Sequence, residues 1–135
     1  MVLTFADAVT VTGSPQAAVS TGIGDIGSGG SSNGGVVTVN GSEVTIPLTN
    51  VANAQTIQVT LNGVNGPGVV MIPMSILLGD TTGNGSVNAS DIGLTKAQSG
   101  QAISATNFRT DVNVNGAINA SDVSLVKSRS GTAVP

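Results

Sequence analysis

Two twelve-residue segments near the C-terminus carry one pattern: DTTGNGSVNASD, Asp80 to Asp91, and DVNVNGAINASD, Asp111 to Asp122. Oxygen-bearing side chains fall at positions 1, 3, 5, 9 and 12 of both, and Gly85 and Gly116 stand at position 6. The register extends past the loops. Asp80 to Gly100 and Asp111 to Gly131 share 11 of 21 residues, which predicts two equivalent structural units. A pattern this tight leaves the C-terminal part of the chain few ways to fold.

Alternate oxygens with a glycine at the sharp mid-loop turn are the ligand spacing of a calcium loop. Calcium takes six to eight oxygens at about 2.3–2.6 Å. In the first loop the spacing assigns Asp80, Thr82 and Asn84 as side-chain ligands and Ser86 through its carbonyl. Asn88 binds directly or through water, and Asp91 closes the shell with both carboxylate oxygens. The second loop gives the same roles to Asp111, Asn113, Asn115, Ala117 (carbonyl), Asn119 and Asp122. Two ions are expected. Asx turns would use many of the same residues without a metal; two loops in one register, each followed by a helix pattern, favour the ion. Each loop carries two carboxylates, and both end in Asp where the common EF-hand ends in Glu. That charge count predicts dissociation constants on the order of 10⁻⁶ to 10⁻⁴ M, nearer extracellular modules than cytosolic buffers. Val87 and Ile118, at position 8, are expected to pair through a short strand contact.

Helices are expected over Ser90 to Ser99 and Ser121 to Ser130, each stopped by a glycine, Gly100 or Gly131. Gly93 weakens the first by about 1 kcal/mol relative to Ala. Between the repeats, Ser104 is an N-cap candidate for a short turn carrying Phe108. Phe108 is expected to be core, packed on Ile92, Val123 and Val126.

Residues 1 to 78 read differently. Leu3 and Phe5, Val9 and Val11, Val44, Ile46 and Leu48, and Ile57, Val59 and Leu61 alternate with polar residues, the period of half-buried strands. Val70, Ile72, Met74, Ile76 and Leu78 form a last apolar face. Asn40-Gly41 marks a hairpin after Val37 and Val39. Pro47 and Pro73 inside strand patterns predict edges or bulges, and Gly22 to Gly35 reads as a loop. The expected architecture is mixed. An all-β sandwich over 1–78 precedes a small α-helical pair of calcium loop–helix (F-hand) repeats over 79–135.

Composition removes several functions. The four basic residues, Lys96, Arg109, Lys127 and Arg129, cannot neutralise a phosphate track, so no nucleic acid is expected. Histidine, Cys, Trp and Tyr are absent. An enzyme would have to work from Asp7, Asp25 and Glu43, more simply surface charges, and a carbohydrate site would lack a stacking platform. Four of the seven acids close the two loops. MVLTFADAVTV has no basic n-region and is not a signal peptide, and no apolar run approaches the ~20 residues of a membrane span. The chain reads like a piece of a longer exported protein.

The segments GDTTGNGSVNASDIGLTK and DVNVNGAINASDVSLVK resemble the duplicated calcium loop and helix of type I dockerins. As in that family, the first repeat lacks an entering helix. The resemblance implies a non-catalytic, calcium-dependent docking module of an extracellular or cell-surface protein, with a cohesin-like partner. Recognition then falls to loop positions 10 and 11 and helix positions 17 and 18. These are Ala89, Ser90, Lys96 and Ala97 in one repeat, and Ala120, Ser121, Lys127 and Ser128 in the other. The two sets nearly match, so either could engage a partner in orientations related by about 180°. The opening LTFADAVTVTG is similar to the start of bacterial immunoglobulin-like surface modules. An alternative is a calcium-rigidified structural module with no cohesin partner, consistent with the short join at Leu77-Leu78-Gly79.

Overall fold

The computed structural model describes residues 1–27 and 35–135, and the chain divides into two units, Met1–Ile76 and Leu77–Pro135. Among the described residues the first contains nine strands: β1 Val2–Thr4, β2 Val11–Thr21, β3 Asp25–Ile26, β4 Gly35–Val36, β5 Thr38–Asn40, β6 Glu43–Thr45, β7 Leu48–Thr49, β8 Gln55–Val64 and β9 Val70–Ile76. All pair antiparallel, in three sheets ordered β1-β6-β5, β4-β2-β8-β9 and β3-β7. The second unit holds two helices, α1 Ala89–Gln98 and α2 Ala120–Arg129, with a 3₁₀ turn Phe108–Thr110 between them. The architecture is therefore mixed, β first and helical after.

Strand β8 shows why the period-two pattern works. Ile57, Val59 and Leu61 are each 0% exposed, whereas Thr56 and Asn62 are exposed. The strand lies between β2 and β9, so its backbone groups pair on both sides and its apolar residues reach the core. Ala17 and Val19 from β2, Ile26 from β3, Val37, Val44 from β6, and Ile46 join the same cluster. One core thus serves strands from all three sheets.

The hairpin falls one residue later than its sequence signal. Asn40 pairs with Glu43, so Gly41 and Ser42 are the central residues, and Gly41 has φ +60°. A glycine at positive φ in the first central position is what a type II′ turn uses. Pro73 lies on β9, at the edge of its sheet, where a missing N–H is tolerated. Pro47 ends a strand instead of bending one: β6 stops at Thr45 and β7, beginning at Leu48, pairs with β3.

One strand runs past its alternating stretch, and one expectation needs correction. The strand continues from Val11 through Gly13 and Pro15 to Thr21, although that stretch carries turn residues. The register against β8 jumps between Val11 and Gln16, so the irregularity absorbs the proline and the glycine at φ +72°. Gly22 to Gly35 is not all loop: Asp25–Ile26 is β3, and Gly35 begins β4. Residues 28–34 of that segment lie outside the described residues. A side chain at 35 would stand 2.2 Å from Ile26 Cγ2, so glycine lets β4 approach.

Truncating a β8 core residue should test this arrangement. Ile57→Ala should cost about 2–5 kcal/mol through lost burial and a residual cavity. Met71→Ala, at a residue 63% exposed, should change stability by less than about 1 kcal/mol. Urea unfolding of the full chain followed by far-UV circular dichroism gives both values.

Candidate metal centre

The two loops fold by the same internal bonds. In loop 1 the position-1 carboxylate, Asp80, accepts from the amides of Gly83 (2.8 Å), Asn84 (3.0 Å) and Gly85 (2.8 Å). In loop 2 Asp111 accepts from Asn115 (3.1 Å) and Gly116 (3.0 Å). The position-5 amide oxygens repeat too: Asn84 Oδ1 accepts from the Ser86 amide and Asn115 Oδ1 from the Ala117 amide, both at 2.9 Å. Positive φ at Gly85 (+83°) and Gly116 (+86°) turns each chain back at position 6.

The position-12 carboxylates close the loops and start the helices. Asp91 Oδ1 accepts from the Thr82 amide (3.0 Å) and hydroxyl (2.9 Å), and Oδ2 accepts from the Asn88 amide (2.8 Å). Asp122 accepts from the Asn113 amide (3.2 Å) and the Asn119 amide (2.9 Å). In return Asn88 and Asn119 Oδ1 accept from the amides of Ser90 and Ser121, completing a capping box at each helix. The helices therefore begin at Ala89 and Ala120, one residue before the expected starts, and the caps are the asparagines. Gly100 (φ +82°) and Gly131 (φ +91°) follow the helix ends, as expected.

The oxygen set fits a hard divalent cation. Asp91 and Asp122 are 0% exposed, yet the hydrogen bonds they accept come from neutral amide and hydroxyl groups. Hydrogen bonds donated to a carboxylate favour its ionised form, so each can meet a cation as a full negative charge. Thr82 Oγ1 lies 3.3 Å from Asp80 Oδ1 and 2.9 Å from Asp91 Oδ1. Oxygens bound to one calcium at about 2.4 Å are separated by about 3 Å, so Thr82 Oγ1 lies within shell spacing of a carboxylate oxygen at each end of the loop. Each carboxylate has about four acceptor sites; Asp111 and Asp122 use two apiece, which leaves lone pairs for a metal. Among the described residues no three acidic side chains converge, so amide, hydroxyl and carbonyl oxygens must complete each shell. With no His or Cys in the chain, the donor set does not suit zinc.

Burial alone would raise the Asp91 pKa. The hydrogen bonds from the Asn88 amide and from the Thr82 amide and hydroxyl outweigh it and hold the carboxyl below its ordinary value.

The two repeats interlock reciprocally. The Gly131 amide, after α2, donates to the Val87 carbonyl in loop 1 (2.9 Å), and the Gly100 amide, after α1, donates to the Ile118 carbonyl in loop 2 (2.8 Å). Val87 and Ile118 are buried, but the expected pairing is not found: no bridge joins them to each other among the described residues. Each carbonyl instead takes the glycine that leaves the opposite helix. Loop 1 gains a further strap: the Val87 amide donates to Thr132 O, the Val134 amide to Gly85 O, and Ser86 bridges Ala133.

The candidate partner residues Ala89, Ser90, Lys96, Ala97, Ala120, Ser121, Lys127 and Ser128 are all exposed. Residues seven apart return to the same helix face, so Ala89 with Lys96 and Ser90 with Ala97 form one stripe on α1, repeated on α2. Phe108 is a correction: it is 57% exposed, not core. The buried positions of this unit are taken instead by Val87, Ile118, Val123 and Val126 together with Thr95 and Thr110. Ser104 caps the turn as expected: its Oγ accepts from the Thr106 amide (3.3 Å) and its carbonyl from the Phe108 amide (3.0 Å). Asn107 Oδ1 accepts in return from the Ser104 amide at 2.7 Å.

Three features went unpredicted: the Thr132–Val134 strap, Arg109 lying over Gly83, and Val114 at φ +56°. Comparing the repeats position by position would have flagged the last, because Val114 stands where loop 1 has Gly83.

A family model described as the dockerin type I domain matches residues 78–129. No curated protein and no solved structure gives a match.

The lowered Asp91 value fixes the direction of a pH response. The carboxylate contributes stability above the ordinary Asp value near 3.8 and loses it as pH falls through the lower folded value. A bound cation would push the same way. In saturating calcium, helical circular dichroism should therefore persist to about pH 4 and collapse below it. Asp91→Asn should show a weaker signal at pH 7 and a shallower acid transition.

Proposed function

We propose, from the premise that residues 78–129 are a type I dockerin segment, that this chain is a calcium-dependent, non-catalytic docking module of an exported or cell-surface protein. Type I dockerins bind cohesin modules and generally bind calcium, and the partner assigned here is cohesin-like. The observation that carries the reading is the reciprocal lock of the repeats through Gly131–Val87 and Gly100–Ile118. It supports a near-twofold unit that offers the same exposed stripe twice.

Asp80, Thr82, Asn84, Ser86 and Asp91 hold one ion, and Asp111, Asn113, Asn115, Ala117 and Asp122 hold the other. Asn88 and Asn119 already cap helices with Oδ1, which favours their acting through water. Each unit is thus a calcium loop followed by its helix. The ions supply positive charge that offsets the buried carboxylates, and folding of the helices follows, since ten-residue helices are marginal alone.

Ala89, Ser90, Lys96 and Ala97, or Ala120, Ser121, Lys127 and Ser128, form the partner surface, one set per orientation. The first unit, with one core shared by antiparallel sheets, supports reading it as an immunoglobulin-like sandwich. Among the described residues no helix is long and apolar enough to cross a membrane.

A second reading keeps the calcium and drops the cohesin. It is favoured by the three residues between Ile76, which ends β9, and Asp80, which opens loop 1, a short spacer for a mobile docking tail.

Calorimetry separates the readings. A cohesin panel should include at least one binder in millimolar calcium and none after chelation. Replacing Ser90-Lys96 or Ser121-Lys127 pairs with Asp should each leave binding largely intact, because one face remains. Replacing both should reduce affinity more than 100-fold. Binding by no cohesin, with calcium heats still present, would leave the structural module. Chelation should also lower the melting temperature and helical signal of the second unit; unchanged melting would count against the ions themselves.

A further inference from the structure

We propose that Val114 makes loop 2 the weaker of the two calcium sites, filled after loop 1. The inference rests on the calcium reading above and concerns how the two sites differ.

Position 4 of both loops adopts the left-handed conformation: φ is +74° at Gly83 and +56° at Val114. Glycine takes this region without cost. A residue with a Cβ does not, and a β-branched residue there is a rare outlier. The cost corresponds to roughly 5- to 30-fold in an equilibrium constant. Nothing packs to repay it, since Val114 is 85% exposed.

The strain counts against calcium to the extent that the empty loop can relax. Loop 2 has the freedom to do so. The amides of Asn113, Val114, Asn115, Gly116 and Ala117 donate to Asp122, Asp111, Asn113 and Asn115 within the same repeat. Loop 1 is held from outside its own repeat by Thr132 and Val134, and its closing Asp91 takes three donors where Asp122 takes two. A preordered loop binds with less ordering cost.

Two effects oppose this order. Arg109 Nη1 would stand 2.5 Å from a Cβ at Gly83, so a positive charge sits beside loop 1 and disfavours a cation there. Arg109 is exposed, so water weakens its effect, but it lies inside the Debye length of about 8 Å at 0.15 M salt and keeps some of it. The Asn113 amide is a better position-3 ligand than the Thr82 hydroxyl. Its Oδ1 already accepts from Asn115 and its Nδ2 donates to Ser121, which limits the gain. Both opposing effects act through exposed side chains, whereas strain and strapping act on the loop backbone itself, and the proposed order follows the backbone.

The Gly85 and Gly116 amides donate to Asp80 and Asp111 and so report each loop separately. Calcium titration of the isotope-labelled full chain at 0.15 M salt, followed at these two NMR signals, should give a midpoint for Gly116 about 5-fold or more above that for Gly85. Val114→Gly should lower the Gly116 midpoint at least about 3-fold and leave Gly85 unmoved, whereas Val114→Ala, which keeps the Cβ, should do much less. Coincident midpoints, Gly116 responding first, or a Gly116 midpoint indifferent to Val114→Gly would overturn the proposal. If neither glycine responds up to 10 mM calcium, the calcium assignment itself falls and the ordering with it. A response at both in the wrong order leaves that assignment standing.

Discussion

The second unit depends on two carboxylates that do two jobs each. Asp91 and Asp122 are fully buried, close a twelve-residue loop and complete the capping box of the helix that follows. One anion thus satisfies the loop amide at position 3 and the cap amide at position 9. Loop and helix cannot form independently, because the group that closes one is the group that starts the other. The helices need this. Each is ten residues long and includes little apolar surface, and helices that short gain stability mainly from capping and tertiary contact. The amides use only part of the acceptor capacity, so a cation could bind the same carboxylate without competing for the cap.

Sequence duplication becomes geometry through main-chain bonds. Gly100 and Gly131 end their helices in the left-handed conformation and then hand their amides across to Ile118 and Val87. A glycine chosen as a helix stop is thereby also a cross-repeat donor. The acceptors sit at position 8, whose side chains fill the small interior. Helix end, loop centre and core are tied at one point in each repeat. The interior can then stay free of large residues, and the only phenylalanine of this half is left facing solvent.

Much of this was legible from residue spacing. The repeat located both loops and helices to within one residue, and period-two alternation located β8, β9 and the Thr38–Thr45 hairpin. What escaped was decided by tertiary pairing. The stretch Val11–Thr21 contains Gly13, Ser14 and Pro15, turn residues by local propensity, yet β8 recruits it as a strand with a register jump. Pairing with a long buried neighbour overrode local preference. The Val87–Ile118 expectation failed because twofold repeats can pair each element with the other copy's next element instead of with its own equivalent. Phe108 lies in the 3₁₀ turn between the repeats and is exposed, whereas the buried positions come from the repeats themselves, Val87, Ile118, Val123 and Val126.

The differences between the repeats are not spread evenly. The exposed stripes on α1 and α2 share Ala, Ser and Lys at three of four positions, and the fourth exchanges Ala97 for Ser128. The loops diverge more. Position 3 changes from Thr82 to Asn113, position 4 from Gly83 to Val114 and position 7 from Ser86 to Ala117. Surroundings diverge with them, since Arg109 and the Thr132–Val134 strap both lie against loop 1. Keeping the faces alike while the loops drift is what a surface read from either side would tolerate. A partner would meet the same side chains in either orientation, while the loops would be free to differ in how strongly they hold a cation. Symmetry of recognition and asymmetry of stability can therefore coexist in one duplicated fold, because they are carried by different positions of the same repeat.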